Sequence, residues 1–272
     1  MRIDNIKAGS PVTAVVRAAA VIFVAAACGA VPVRAFAQAT VGAVVSIPVG
    51  VFSRGSEEAG ADPDESPVRP VRMSGFGMTA TEVTEAQYGR CVDGGQCTQA
   101  HYDDGNCLIW AGGGFRKVVV PPHLRGDGFP VVCVTWQQAR AYCASVGMRL
   151  PTEAQWEYAA LGGGAGRYAW GDAAPDGSRC PRNAPQTVGG FAPNGYGLYD
   201  MTGNVWEWTA DFYAADAYEN AADTDPKGPD AGYYRVIRGG GWYGGPNELR
   251  VRNRHWFAAG SAEASVGFRC VK

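Results

Sequence analysis

The sequence predicts a single α+β domain with few long elements and much loop, and three observations carry that expectation. The 272 residues include 38 Gly and 17 Pro, so turns are abundant, yet the share stays below that of low-complexity disorder. A helix-start pattern occurs three times between residues 84 and 155, whereas beyond Leu161 only short strands are plausible. Eight Trp and twelve Tyr accompany a 46% apolar composition, and large rings suit a core filled from irregular segments. No stretch reads as a linker and no internal repeat is evident, so residues 40–272 are expected to form one domain.

Taken in order, residues 1–39 read as an address. Arg2, Lys7 and Arg17 precede an apolar run from Ala18 to Val33, and a small-residue site follows at Ala35-Phe36-Ala37 or Ala37-Gln38-Ala39. That is the pattern of a secretory signal peptide. A permanent anchor is the rival reading, but the run is shorter than the roughly 20 apolar residues a span needs, and Gly29 and Pro32 interrupt it. Cys28 follows three alanines, which leaves lipidation as a lesser alternative. The mature chain is therefore expected in the periplasm or outside the cell, with no membrane span.

Within the body, Val44–Pro48 suggests a short strand, and the acidic, Pro-containing residues 57–67 an exposed loop. Thr84-Glu85-Ala86-Gln87, Thr135-Trp136-Gln137-Gln138 and Thr152-Glu153-Ala154-Gln155 each match the capping box, a Thr followed three residues later by Gln. The first helix should stop near Gly94 and the second near Gly147, both suited to a left-handed turn. In the second helix Ala139, Tyr142, Cys143 and Val146 recur at helical spacing and should face the core. Further on, strands are expected at Val236–Arg238 and Gly267–Cys270, and Trp206 and Trp208 as core.

Composition excludes some functions. The net charge is −2, and the first 39 residues carry +3 of it, so the remainder is mildly acidic and has no basic stripe for nucleic acid. Past the signal, seven cysteines remain at 91, 97, 107, 133, 143, 180 and 270. In an oxidising compartment disulfides are the default reading, and an odd number leaves one thiol over. There is no C-x-x-C, and His101, His123 and His255 are scattered, which argues against zinc. His101 with Asp103 and Asp104 reads as a surface turn beside Gly105 before it reads as a metal site. The alternation Arg250-Val251-Arg252-Asn253-Arg254 would put three guanidiniums on one face of a strand, able to hold a carboxylate or phosphate, or else to pair with nearby acids.

Several stretches together resemble the formylglycine-generating enzyme (sulfatase-modifying factor) family. They are Ile47–Phe52, Glu82–Tyr88, Pro130–Trp136, Arg149–Tyr158, Asn194–Trp208, Arg238–Trp242 and Gly267–Cys270, in order and covering nearly all of the mature chain. The resemblance implies a C-type-lectin-like α+β fold stapled by disulfides. It also implies a bridge between Cys143 and Cys270. Cys91 with Cys97, neighbours in sequence, and then Cys107 with Cys133 are the further expected pairs, leaving Cys180 unpaired. From the family come, as calcium ligands, Asn204, Val205 and Glu207, in a structural role. A second family calcium site, near Asn183 in this chain, looks shortened and is not carried over.

The family oxidises a sulfatase cysteine to an aldehyde with oxygen and copper(I), held by two cysteines a few residues after an R-G-G-S-W-like motif. Here the stretch Gly239–Arg250 contains no cysteine, none lies between Cys180 and Cys270, and Gly241 replaces the serine. Copper(I) favours soft sulfur donors, so copper and formylglycine formation are not expected. The region the family uses for substrate, Tyr243–Trp256, supplies weak catalytic candidates in Glu248, Arg252 and His255. The expected function is a divergent, copper-independent periplasmic enzyme acting on a secreted peptide, protein or small-molecule partner. The alternative is a non-catalytic lectin-like binding or scaffold module.

Overall fold

The computed structural model describes residues 41–272; the expected signal segment and Cys28 lie outside the described residues. The N-terminal part contributes four strands, β1 (Val44–Ile47), β2 (Gly50–Arg54), β3 (Arg69–Met73) and β4 (Phe76–Thr79). Then come α1 (Glu85–Asp93), a hairpin of β5 (Cys107–Trp110) and β6 (Phe115–Val118), α2 (Trp136–Ser145) and α3 (Glu153–Leu161). After a long irregular stretch follow β7 (Trp206–Phe212), β8 (Tyr234–Arg238), β9 (His255–Ala258), β10 (Ala262–Glu263) and β11 (Val266–Gly267). Among the described residues no helix is long and apolar enough to cross a membrane.

All three helices begin at the expected threonines. At α3, Thr152 Oγ1 accepts from Gln155 N at 3.1 Å while Gln155 Oε1 accepts from Thr152 N at 3.1 Å, and Thr84/Gln87 and Thr135/Gln138 repeat the exchange. Each cap satisfies two of the amides a helix start leaves over, worth about 1 kcal/mol. The stops are less uniform. Gly147 and Gly162 take left-handed φ of 71° and 59°, but Gly94 stays right-handed at −73° and the reversal falls on Gly95. Every residue of α3 is buried, including Glu153 and Glu157, because it runs between two packed faces.

The largest sheet has the order β11-β7-β8-β9. A three-stranded sheet, β10-β5-β6, adjoins it in sequence, since the chain at 262–267 pairs in parallel first with β5 and then with β7. β1 pairs with β4 and β2 with β3, both antiparallel. Beyond Gly267 the expected strand does not continue as a ladder. The carbonyls of Phe268 and Cys270 accept instead from Val83 N and Thr79 N, so the segment is threaded between other elements. Val271 then bridges to both Met78 and Arg149.

Two apolar clusters fill the interior. One gathers Tyr88, Tyr142, Trp208 and Phe268 around α1, α2 and β7; the other packs Ile47, Met73 and Met78 against Trp156 of α3. Three disulfides join Cys91 to Cys97, Cys107 to Cys133 and Cys143 to Cys270, the pairs named from the sequence, and Cys180 is a buried free thiol.

Two expectations need correction. Residues 57–67 are not simply an exposed loop: a short 3-10 turn at Pro63–Glu65 buries Glu65 completely, where it receives both terminal nitrogens of Arg250 at 2.6 and 2.7 Å. Arg250, Arg252 and Arg254 do not share a strand face either, for residues 249–252 form turns. Arg250 and Arg254 are buried and neutralised by Glu65 and Glu153, while the Arg252 guanidinium reaches towards the Gly166 carbonyl. The long-range acids capture the cations before any ligand could.

Candidate functional site

A cavity of about 320 Å³ forms over one face of the large sheet, beside the part of that face on which α2 packs. All four strands contribute: Trp206 from β7, Ile237 from β8, His255 and Phe257 from β9, and Val266 from β11. His255 and Phe257 are two apart and so share a face. The β5–β6 hairpin supplies a side wall through Trp110 and Phe115, cross-strand partners whose rings meet edge to face at 5.3 Å. The roof is the Gly-rich segment after β8, through Tyr243 and Glu248.

The chemically unusual group is Glu263. It stands where β10 leaves one sheet for the other, opposite Leu108, and is 1% exposed. Its Oε2 accepts from Ser265 N at 2.8 Å and from Ser265 Oγ at 2.5 Å, and the same hydroxyl oxygen lies 3.0 Å from that of Tyr243. Its Oε1 is buried and meets no well-aligned donor, although the Trp110 amide and the Tyr243 hydroxyl lie close to the carboxyl. Burial pushes the Glu263 carboxyl up to about 7, the hydrogen bonds from Ser265, the Trp110 amide and Tyr243 offsetting only part of that. Burial and the neighbouring Glu263 also raise the Tyr243 phenol. A carboxyl poised near neutrality inside a cleft is the usual mark of a group that holds or moves a proton.

Of the candidates read from the sequence, the structure brings Glu248 and His255 to this cavity and leaves Arg252 out. His255 lies between Trp206 and Trp256, with centroids 5.3 and 5.1 Å away, and its Nδ1 accepts from Trp256 N at 2.9 Å. The free edge of the ring is therefore Nε2. Glu248 is exposed at the rim, its Oε2 accepting from Gly245 N at 2.7 Å. No cysteine lines the cavity. Cys180 packs elsewhere, with Tyr168 and Leu249, and burial raises its thiol. Glu263, Tyr243 and Ser265 went unread in the sequence. The available signal was an acid set among small and apolar residues in Ser261-Ala262-Glu263-Ala264-Ser265-Val266, where a charge has no solvated face.

Calcium fits these residues differently from the expectation. Asn204 and Val205 are buried just ahead of β7 and Glu207 within it, but the two side chains are engaged. Glu207 accepts from Arg269 on both oxygens and from Trp156 Nε1 at 2.8 Å. Asn204 Oδ1 accepts from Gln186 N at 3.0 Å, and its Nδ2 donates to Glu82 Oε1 at 3.0 Å. The orphan here is Glu82 Oε2, buried without a donor. Burial raises both the Glu82 and the Asp200 carboxyl, and the neighbouring Asp200 raises Glu82 further. Glu82 and Asp200, rather than the side chains of Asn204 and Glu207, are the residues that would hold a divalent cation, whose role would be to neutralise buried charge. Among the described residues no three His, Cys, Asp or Glu side chains converge as a metal-binding set.

A larger groove of about 580 Å³ lies at the start of α3, between Arg149, Asp211 and Arg235. Two of its three acids are occupied: Asp211 accepts from Glu153 N and Gly228 N, and Asp225 from Ser74.

Comparison with known proteins places this geometry. A family model described as the sulfatase-modifying factor enzyme 1-like domain matches residues 31–272. The formylglycine-generating enzyme of Streptomyces coelicolor is 34% identical over 276 residues, covering 84% of this chain and 88% of that protein. The serine/threonine-protein kinase pkn1 of Chlamydia pneumoniae is 40% identical over 238 residues, but the chain spans only 38% of that kinase's length. Among solved structures, PvdO from Pseudomonas aeruginosa superposes with a TM-score of 0.71 at 25% identity, covering 84% of this chain and 93% of PvdO. The architecture is thus of the formylglycine-generating-enzyme type, C-type-lectin-like, with few helices and much loop.

Proposed function

The chain belongs to the sulfatase-modifying factor family, and from that premise we propose that it is a divergent, copper-independent member. After export it would act on a secreted peptide or small metabolite held in the cavity over the large sheet. The observation that carries the reading is the content of the cavity: its roof, Gly239–Arg250, brings a phenol and a carboxylate where the family is expected to bring thiols. Copper(I) gains little from such hard donors. What the site can do is move a proton: Glu263, which burial pushes up to about 7, takes or gives one at Oε1, while Ser265, itself against Tyr243, holds Oε2.

Three disulfides in one domain support an oxidising compartment, and hence export. Glu82 and Asp200 support a structural cation beneath the site, with no part in the proton transfer. Kinase activity is not carried over from the Chlamydia relative, since most of that protein's length has no counterpart here.

The test is metal analysis of the purified mature chain, together with oxygen uptake on a sulfatase-type cysteine peptide supplied with copper(I). The expected result is no stoichiometric copper and no oxygen consumption above the copper-only control. One copper per chain with aldehyde formed on the peptide would overturn the reading; bound calcium would leave it standing.

A further inference from the structure

We propose that the ligand of the cavity is an organic cation, a protonated amine or quaternary ammonium whose substituents lie against aromatic rings while its charge faces Glu263. The inference rests on reading the cavity as the ligand site and names the ligand class. Its first support is the lining. Trp110, Phe115, Trp206 and Phe257 present ring surface, the only acids are Glu248 and Glu263, and no Lys or Arg lines it. Ring faces carry negative potential, so aromatic walls with carboxylates and no fixed cation favour a positive guest.

A second support comes from how the protein uses its own cations. Arg54 sits 3.9 Å over Tyr218, and Arg235 sits 3.7 Å over Trp136 and 3.3 Å over Phe212. Among the described residues no guanidinium lies over Trp110, Phe115, Trp206 or Phe257. The guanidiniums behind the sheet are committed elsewhere, Arg238 to Glu153 and Glu157, and Arg254 to Glu153. The cavity rings and the Glu263 carboxyl, which no Lys or Arg among the described residues pairs with, therefore leave a place for a cation that the chain does not supply. A neutral guest with no donor would leave Oε1 unmatched, and an anion would meet two carboxyls. A guest cation would instead draw the Glu263 proton off and bind the carboxylate.

Size sets the upper limit. About 320 Å³ holds a small organic cation or the end of a long side chain, not a folded partner. The wall is adaptable, because Trp110 and Phe115 are 45% and 46% exposed and flank a turn of three glycines, Gly112–Gly114, two of them at positive φ.

Three probes of nearly equal shape separate charge from shape: choline, its neutral isostere 3,3-dimethyl-1-butanol, and the anion 3,3-dimethylbutyrate. Binding to the mature full chain is followed by calorimetry and by tryptophan fluorescence at pH 7. Choline is expected to bind at least about tenfold tighter than the alcohol, with the anion weakest. Trp110→Ala, on an exposed hairpin, should weaken choline about fivefold or more. Glu263→Gln should remove the preference for choline over the alcohol, and Glu248→Gln, at the exposed rim, should reduce it if the buried variant folds poorly. Equal binding of alcohol and choline, or tightest binding of the anion, overturns the cation assignment while the cavity remains a ligand site. If none of the three binds, and a panel of neutral aromatic fragments also fails to perturb the cavity tryptophans, both this inference and the cavity reading fall.

Discussion

Replacing Glu263 by Gln probes the perturbed carboxyl of the cavity without changing its shape. A carboxyl held at about 7 in the folded chain and near 4.5 in the unfolded one is protonated in the first over a range where it is ionised in the second. The unfolded state therefore binds fewer protons between those values, and stability falls as pH rises from about 4.5, levelling off above about 7. At about 1.4 kcal/mol per tenfold, the full penalty is about 3 kcal/mol. Glutamine keeps one oxygen to accept from Ser265 and cannot ionise, so it imitates the protonated acid. Its second terminus, an NH2 in the place of Oε1, costs about 1 kcal/mol or more at every pH. The quantity to measure is thus the change in the effect of the substitution between pH 5 and pH 8. Urea unfolding with the disulfides intact should show the variant gaining about 2.5 kcal/mol relative to the parent over that interval, the rest of the penalty being already present at pH 5. Asp211, which burial raises to about 6, titrates in both proteins and cancels in the difference. A flat difference across the interval would mean that Glu263 is already ionised, or solvated, in the fold, and the proton-transfer role would lose its basis.

Two further expectations concern the frame. Arg250→Ala strips the buried Glu65 of its guanidinium and should cost about 3–5 kcal/mol by urea unfolding, whereas Arg250→Met with Glu65→Leu should recover most of it. Removing the Cys143–Cys270 bridge, whose ends are 127 residues apart, should cost about 5 kcal/mol on chain entropy, read as a lowered unfolding midpoint; a loss below about 1 kcal/mol would show that the unfolded chain is already constrained there.

The parts of this fold that were legible in the sequence are those decided within a few residues. Thr84, Thr135 and Thr152 each find their Gln three positions on, so a four-residue window is enough to start a helix. Gly94 misled by one position because either of two adjacent glycines could take the left-handed turn, and Gly95 did. The misreadings arise where a partner is far along the chain. Nothing near residue 65 announces that Arg250 will arrive to bury it, and nothing near Arg254 announces Glu153. The same distance hid the site. Glu263 gains its environment from Ser265 beside it, but also from Tyr243, from the Trp110 hairpin and from a strand junction that only the assembled sheets create. The absence of thiols, by contrast, was visible at once, because an element missing from a sequence cannot be supplied by folding.

The threading of residues 268–271 has a consequence for the order in which this protein can be built. Phe268, Cys270 and Val271 hydrogen-bond to residues of β4, to Val83 and to Arg149, and they complete both apolar clusters. Residues 268–271 are synthesised after the partners they seal, so that earlier part must wait, unsealed, until they emerge. Contacts this distant slow folding and prolong the exposure of apolar surface. Deleting residues 268–271 should leave a chain that never reaches its native state, read as the loss of a cooperative urea transition.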